Sequence, residues 1–155
     1  MVDILIRFLA DWLMIPIIII GTYALIWKIP KGFRLDAYKR ILMAGLTSFL
    51  LSKLIGHYYQ PSTERPFELI GVDPGASYLT NAGFPSDHVM FIMAIMFAVW
   101  FETRQRKITY LMLFLICLVG LGRVLALVHA PIDILGGVIF AGVGCLWYIR
   151  PKNTK

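Results

Sequence analysis

Long apolar runs constrain this chain more than any other feature. A hydrocarbon layer about 30 Å thick takes roughly 20 helical residues to cross. Five segments approach that length: Ile4 to Ile29, Ile41 to Tyr59, the shorter Val89 to Phe101, Ile108 to Val128, and Ile132 to Tyr148. In lipid every backbone polar group needs an internal partner, so such runs read as helices. Of the 155 residues, 59% are hydrophobic and only 15% charged, against about half and a quarter in soluble chains. A soluble domain of this size has too little interior to hide so much apolar surface. The reading is an all-α, polytopic membrane bundle of about five helices, one domain over residues 1–155. No small-residue cleavage site follows the first run, which therefore reads as a span and not as a removable signal peptide. Gly136, Gly137, Ala141, Gly142 and Gly144 give the last run small residues for close helix packing. Cys117 and Cys145 lie inside apolar runs and read as small core residues.

The basic residues set an orientation. Lys28, Lys31, Arg34, Lys39 and Arg40 fall between the first two runs, Arg104, Arg106 and Lys107 between the third and fourth, and Arg150, Lys152 and Lys155 after the fifth. With five spans, these eleven of the fifteen Lys and Arg share one side, which the positive-inside bias makes cytoplasmic. The N-terminus is then outside and the C-terminus inside. The net charge of +6 is thus mainly a topology signal. No basic face with a nucleic-acid reader motif accompanies it, so no nucleic-acid partner is expected.

The opposite face holds what chemistry the chain has. Arg7, Lys53, Arg65 and Arg123 remain there, with His57, His88, His129, Glu64, Glu68, Asp73, Asp87 and Asp133. Ionisable groups at membrane depth are costly and point to function. Three clusters stand out: Lys53 with Arg65-Pro66-Phe67; Phe84-Pro85-Ser86-Asp87-His88 at the start of the third run; and Gly122-Arg123, then His129 and Asp133 around the Ala130-Pro131 turn. Arginines suit bidentate phosphate contacts, and a Pro-Ser-Asp helix start offers free N–H groups to an anion. Two histidines beside a phosphate can act as nucleophile and proton donor. A nucleophilic imidazole needs its far nitrogen held by a carboxylate, a relation His129 and Asp133 have. Pro131 disfavours helix at the residue before it, so the fourth run should end near His129. Arg123 then lies about 9 Å deeper at 1.5 Å per residue.

The pattern resembles the type 2 phosphatidic acid phosphatase superfamily, whose motifs are Lys–six residues–Arg-Pro, Pro-Ser-Gly-His, and Ser-Arg–five residues–His–three residues–Asp. Phe-Pro-Ser-Asp-His with Arg-Pro-Phe upstream is most similar to its bacterial undecaprenyl-diphosphatase branch, of the bacitracin-resistance type. The resemblance covers 53–133, about half the chain. It implies a hydrolase that removes the terminal phosphate of undecaprenyl diphosphate through a phosphohistidine, without cofactor or metal. By matching position, His129 would be the nucleophile, Asp133 its orienting partner and His88 the acid for the leaving group. Lys53, Arg65, Ser86, Arg123 and the backbone at Asp87 would hold phosphate. The implied site faces outward from the plasma or inner membrane, and the partners are a lipid phosphate or diphosphate and the surrounding lipids.

This chain departs from the superfamily pattern in three ways. Eleven residues, not six, separate Lys53 from Arg65, and the six-residue spacing lands on Gln60-Pro61. Either Arg65 across an insertion or Gln60 takes the first-motif position. Gly122 stands where the family has Ser, and five spans are counted where family members often have six. Outside the motifs, His57 reads as an interfacial residue or a pocket wall. Asp3, Arg7 and Asp11, spaced to pair along one helix face, read as an interfacial start to the first span. Trp27, Tyr58, Tyr59, Tyr78 and Tyr148 read as interface anchors, and Glu64, Glu68 and Asp73 as solvated. The Pro- and Gly-containing loop 60–84 could help cover the site. Two other functions stand beside the first: a phosphatase of glycerol-based lipid phosphates, and a metal- or haem-binding membrane protein or transporter using the three histidines and Asp133.

Overall fold

The shortest of the apolar runs is the centre of the molecule. In a computed structural model describing residues 2–80 and 83–149, helix Asp87–Ala98 continues in wider turns through Thr103. It packs against helices of all four longer runs. It is apolar all round because Val89, Met90, Ile92, Met93 and Met96 are all buried, while Phe91 looks outward. Around it stand Asp3–Trp27, Lys31–Tyr58, Arg106–Leu125 and Pro131–Tyr148, four helices long and apolar enough to cross a membrane. Their outer faces expose Ile19, Leu42, Phe49, Phe114 and Ile139, as a lipid surround permits. No strand occurs among the described residues.

Two boundaries differ from the sequence reading. The second helix starts ten residues earlier than Ile41, at Lys31, because nothing from Phe33 onward breaks it. Arg34, Lys39 and Arg40 therefore ride on helix and not in a link. Arg40 forms a fork with Glu102 at the end of the central helix, at 2.6 and 2.7 Å. The fourth helix stops at Leu125, before Val128, and Leu127 adopts a left-handed φ of 60° in the turn that follows. Arg150, Lys152 and Lys155, which entered the orientation argument, lie outside the described residues.

Small residues set how closely the helices approach. A Cβ at Gly137 would lie 2.8 Å from Ser86 O and 3.1 Å from Met90 N, so glycine there lets the central helix start directly on the fifth. Gly142 plays no such part: a Cβ there would meet nothing within 4 Å. The first helix widens at Phe8–Trp12, and wide turns of this kind are often found at functional sites. Here the widened segment sits on Gly122, where a Cβ would come within 2.7 Å of Ala10 N and 2.8 Å of Leu9 Cβ. The loss of the family's Ser at this position thus admits the first helix. Restoring it as Gly122→Ser is expected to destabilise the protein by about 1–3 kcal/mol through overpacking. Thermal unfolding in detergent checks this, and an unchanged Tm would show that the two helices part freely.

Candidate active site

His129 lies in the turn between the fourth and fifth helices, 4% exposed. Pro131 opens the fifth helix, and Asp133, two residues further, faces back along the turn. Its Oδ2 accepts the Ala130 N–H at 2.8 Å and lies 3.3 Å from His129 Nδ1. An Nδ1–H tautomer donates to that carboxylate and leaves Nε2 with its lone pair free. Burial pushes the His129 pKa down, Asp133 pulls it back up, and the guanidiniums of Arg123 and Arg65 push it down again; the net shift is downward. The second cluster is tied to this turn because Ser86 N–H donates to Asp133 O at 3.0 Å.

Arg65 reaches the same place from the loop. Pro66 opens a short helix, Pro66–Ile70, whose Phe67 N–H donates to Leu127 O at 3.0 Å; further on, Gly75 N–H donates to Ala126 O at 3.0 Å. Glu68, exposed as expected, also accepts the Arg65 N–H at 2.6 Å. Stitched down in this way, the loop buries Arg65, whose guanidinium donates to Val128 O and, at 3.1 Å, to Leu79 O. The Tyr78 ring lies under that guanidinium, 5.4 Å away. Gln60 turns elsewhere, bonding Gly56 O and both backbone groups of Phe84. The chain thus brings Arg65, and not Gln60, to His129.

Arg123 is 1% exposed. Its Nη1 donates to Asp11 Oδ1 at 3.0 Å and Ser77 O at 2.9 Å, and Asp11 Oδ2 accepts the Ser77 N–H at 3.0 Å. Among the described residues, Arg123 Nε and the buried Ser86 Oγ have no hydrogen-bond partner. Asp11 is the residue that the sequence reading underrated. Its signal was an acidic group set into an apolar run, costly unless paired.

Arg65, Asp87, His88, Arg123 and His129 line one narrow cleft of about 10 Å³, the room of roughly one water. Lys53 is not among them. Its ammonium grips the Asp87 carboxylate at 2.6 and 2.8 Å and opens, with His57 and Gln60, onto a neighbouring pocket of about 350 Å³. The three histidines therefore do not meet. Among the described residues, no three His, Cys, Asp or Glu side chains converge to hold a metal ion.

Fold and cleft together define a multi-pass membrane protein with a buried, histidine-centred site lined by arginines. The sequence pattern of the PAP2 superfamily matches residues 37–155, and the chain belongs to that superfamily. It is 34% identical over 107 residues to undecaprenyl-diphosphatase BcrC of Bacillus subtilis (strain 168), covering 66% of this chain and 53% of that protein. It is 33% identical over 110 residues to YbjG of Escherichia coli (strain K12), which carries the same enzyme name provisionally; 69% of this chain and 52% of that protein are covered. The chain spans about half the length of these curated relatives. No solved structure matches it.

Proposed function

We propose that the protein is a membrane lipid phosphatase that converts a polyprenyl diphosphate, in particular undecaprenyl diphosphate, to the monophosphate. One observation carries this reading: His129, paired with the buried Asp133, lines one cleft with Arg65, Arg123 and His88. The names of the two relatives favour the diphosphate over glycerol-based lipid phosphates. In the first step His129 Nε2 attacks the terminal phosphorus, the bridging P–O bond breaks, and His88 gives its proton to the departing oxygen. In the second, water attacks phosphorus, the P–N bond breaks, and His88 takes the water's proton. Inorganic phosphate leaves and both histidines are restored. Arg65 and Arg123 exchange the loop carbonyls of Leu79 and Ser77 for phosphate oxygens, and Arg123 Nε–H and Ser86 Oγ–H are further donors. Lys53 acts through Asp87, fixing that carboxylate at the rim.

The proposal extends to topology. Residues 1–155 form one membrane domain, the central helix being a fifth, short span. The cleft faces outward and the basic links lie in the cytoplasm. A short central span leaves the cleft recessed, so a polyprenyl tail stays in lipid while its headgroup enters. The test is phosphate release by reconstituted protein. Undecaprenyl diphosphate is expected to be cleaved at least about tenfold faster than phosphatidic acid, the discrimination of roughly 1.4 kcal/mol. A thiol label on a cysteine placed at Ser62 reports the face. Equal rates would shift the reading to a general lipid phosphatase, labelling from the cytoplasmic side alone would invert the topology, and no release from either lipid would sink the enzyme.

A further inference from the structure

Four basic residues were expected on the site face, and Arg7 has no place in the motifs. It lies in the first helix, outside the superfamily match over residues 37–155. There it borders a pocket of about 650 Å³, between that helix and the catalytic cleft, lined by Arg7, Asp11, Trp12, Ile15, Ser77 and His88. His88 is the telling member, because it also lines the cleft with His129. Attacking and leaving atoms in phosphoryl transfer stand roughly in line across phosphorus. With His129 attacking and His88 protonating, the leaving half departs past His88. The room beyond His88 is this pocket, whereas the pocket of Lys53 and His57 does not reach His88.

The walls suit a leaving group that is anionic at one end and apolar at the other. Trp12 and Ile15 are 60% and 46% exposed on the membrane-embedded helix, offering a tail both contact and a way out to lipid. Asp11 does not repel an incoming anion strongly, since its two oxygens are taken up by Arg123 and the Ser77 N–H. Arg7 is only loosely engaged, its Nε 4.0 Å from Asp11 Oδ2 and its side chain 68% exposed, so it is free to turn to a phosphate.

We propose that this pocket is the subsite for the leaving half of a lipid diphosphate, with Arg7 binding the phosphate that stays on the lipid and Trp12 and Ile15 receiving the first units of its tail. The inference rests on the lipid-diphosphate reading above. It makes the first helix a selector of diphosphates over monophosphates.

The test is calorimetric binding to the full detergent-solubilised chain, independent of turnover. The probes are farnesyl methylenebisphosphonate, with CH2 in place of the bridging oxygen, and farnesyl phosphonate. The wild type is expected to bind the bisphosphonate about tenfold more tightly, the scale of one charge-assisted hydrogen bond. Arg7→Gln should erase that ratio, Arg7→Lys should keep most of it, and His57→Gln should leave it in place. No preference in the wild type, a ratio that survives Arg7→Gln, or one lost with His57→Gln would each overturn the subsite. A preserved ratio in a protein that releases no phosphate from undecaprenyl diphosphate would instead sink the activity and leave the subsite standing.

Discussion

Replacing His129 with alanine is expected to lower phosphate release from undecaprenyl diphosphate by about ten-thousand-fold, the scale on which enzymes lose a nucleophile. The fold should survive, because the turn that carries His129 keeps its backbone bonds: Asp133 still caps the Ala130 N–H and Ser86 still donates to Asp133 O. Helicity by circular dichroism should therefore be unchanged. Wild-type protein quenched during turnover of substrate labelled in its terminal phosphate should carry an acid-labile label that the variant lacks. A variant rate within a few-fold of wild type would end the assignment.

The pH profile of the wild type bears on the same residue. Only unprotonated His129 can attack, so the rate falls as pH drops through its pKa in the folded protein. Burial, reinforced by Arg123 and Arg65, holds that pKa below the ordinary histidine value, about 6.5. The acid limb assigned to His129 should accordingly lie below pH 6.5. Asp133 pulls the pKa upward, so Asp133→Asn should move the limb further to acid while the maximal rate falls for want of orientation. An acid limb moving toward neutral pH in that variant would contradict the assigned electrostatics.

What the sequence disclosed about this site follows from distance along the chain. Gly122 to Asp133 is local: a helix end, a Pro-initiated helix and an i, i+4 histidine–aspartate pair fix one another within a few turns, and the structure keeps that arrangement. Ser86 and His88 were legible because Pro85 and Ser86 mark a helix start whatever surrounds them. Arg65 could not be chosen over Gln60 by spacing, because the choice is made by backbone bonds from Phe67 and Gly75 to Leu127 and Ala126, far away in sequence. Lys53 was recognised as a site cation, yet its ammonium pairs with the Asp87 carboxylate and does not line the cleft. Five apolar runs were visible, but not that the shortest is the hub, since a uniformly apolar segment does not reveal how many neighbours cover it. Asp11 lay furthest from view. It meets Arg123 across 112 residues, through a wide turn that no residue pattern announces and a glycine whose importance shows only in contact.

That last pairing yields the second large effect. Arg123→Met should cost the protein in two separable ways. Activity should fall by about a hundred- to a thousand-fold, as when a preorganised donor to a developing oxyanion is removed. Stability should fall as well, because Asp11, only 15% exposed, loses its buried cation. An uncompensated charge of this kind costs about 3–5 kcal/mol, and the lower end applies because the Ser77 N–H still bonds the carboxylate. The double variant Arg123→Met with Asp11→Asn separates the two effects. Neutralising Asp11 removes the stranded charge, so Tm in detergent should recover most of its loss. The rate should not recover, since the methionine still offers phosphate no donor. A double variant that regained the rate along with the Tm would make Arg123 a structural partner of the first helix alone, and would move the work of binding phosphate to Arg65.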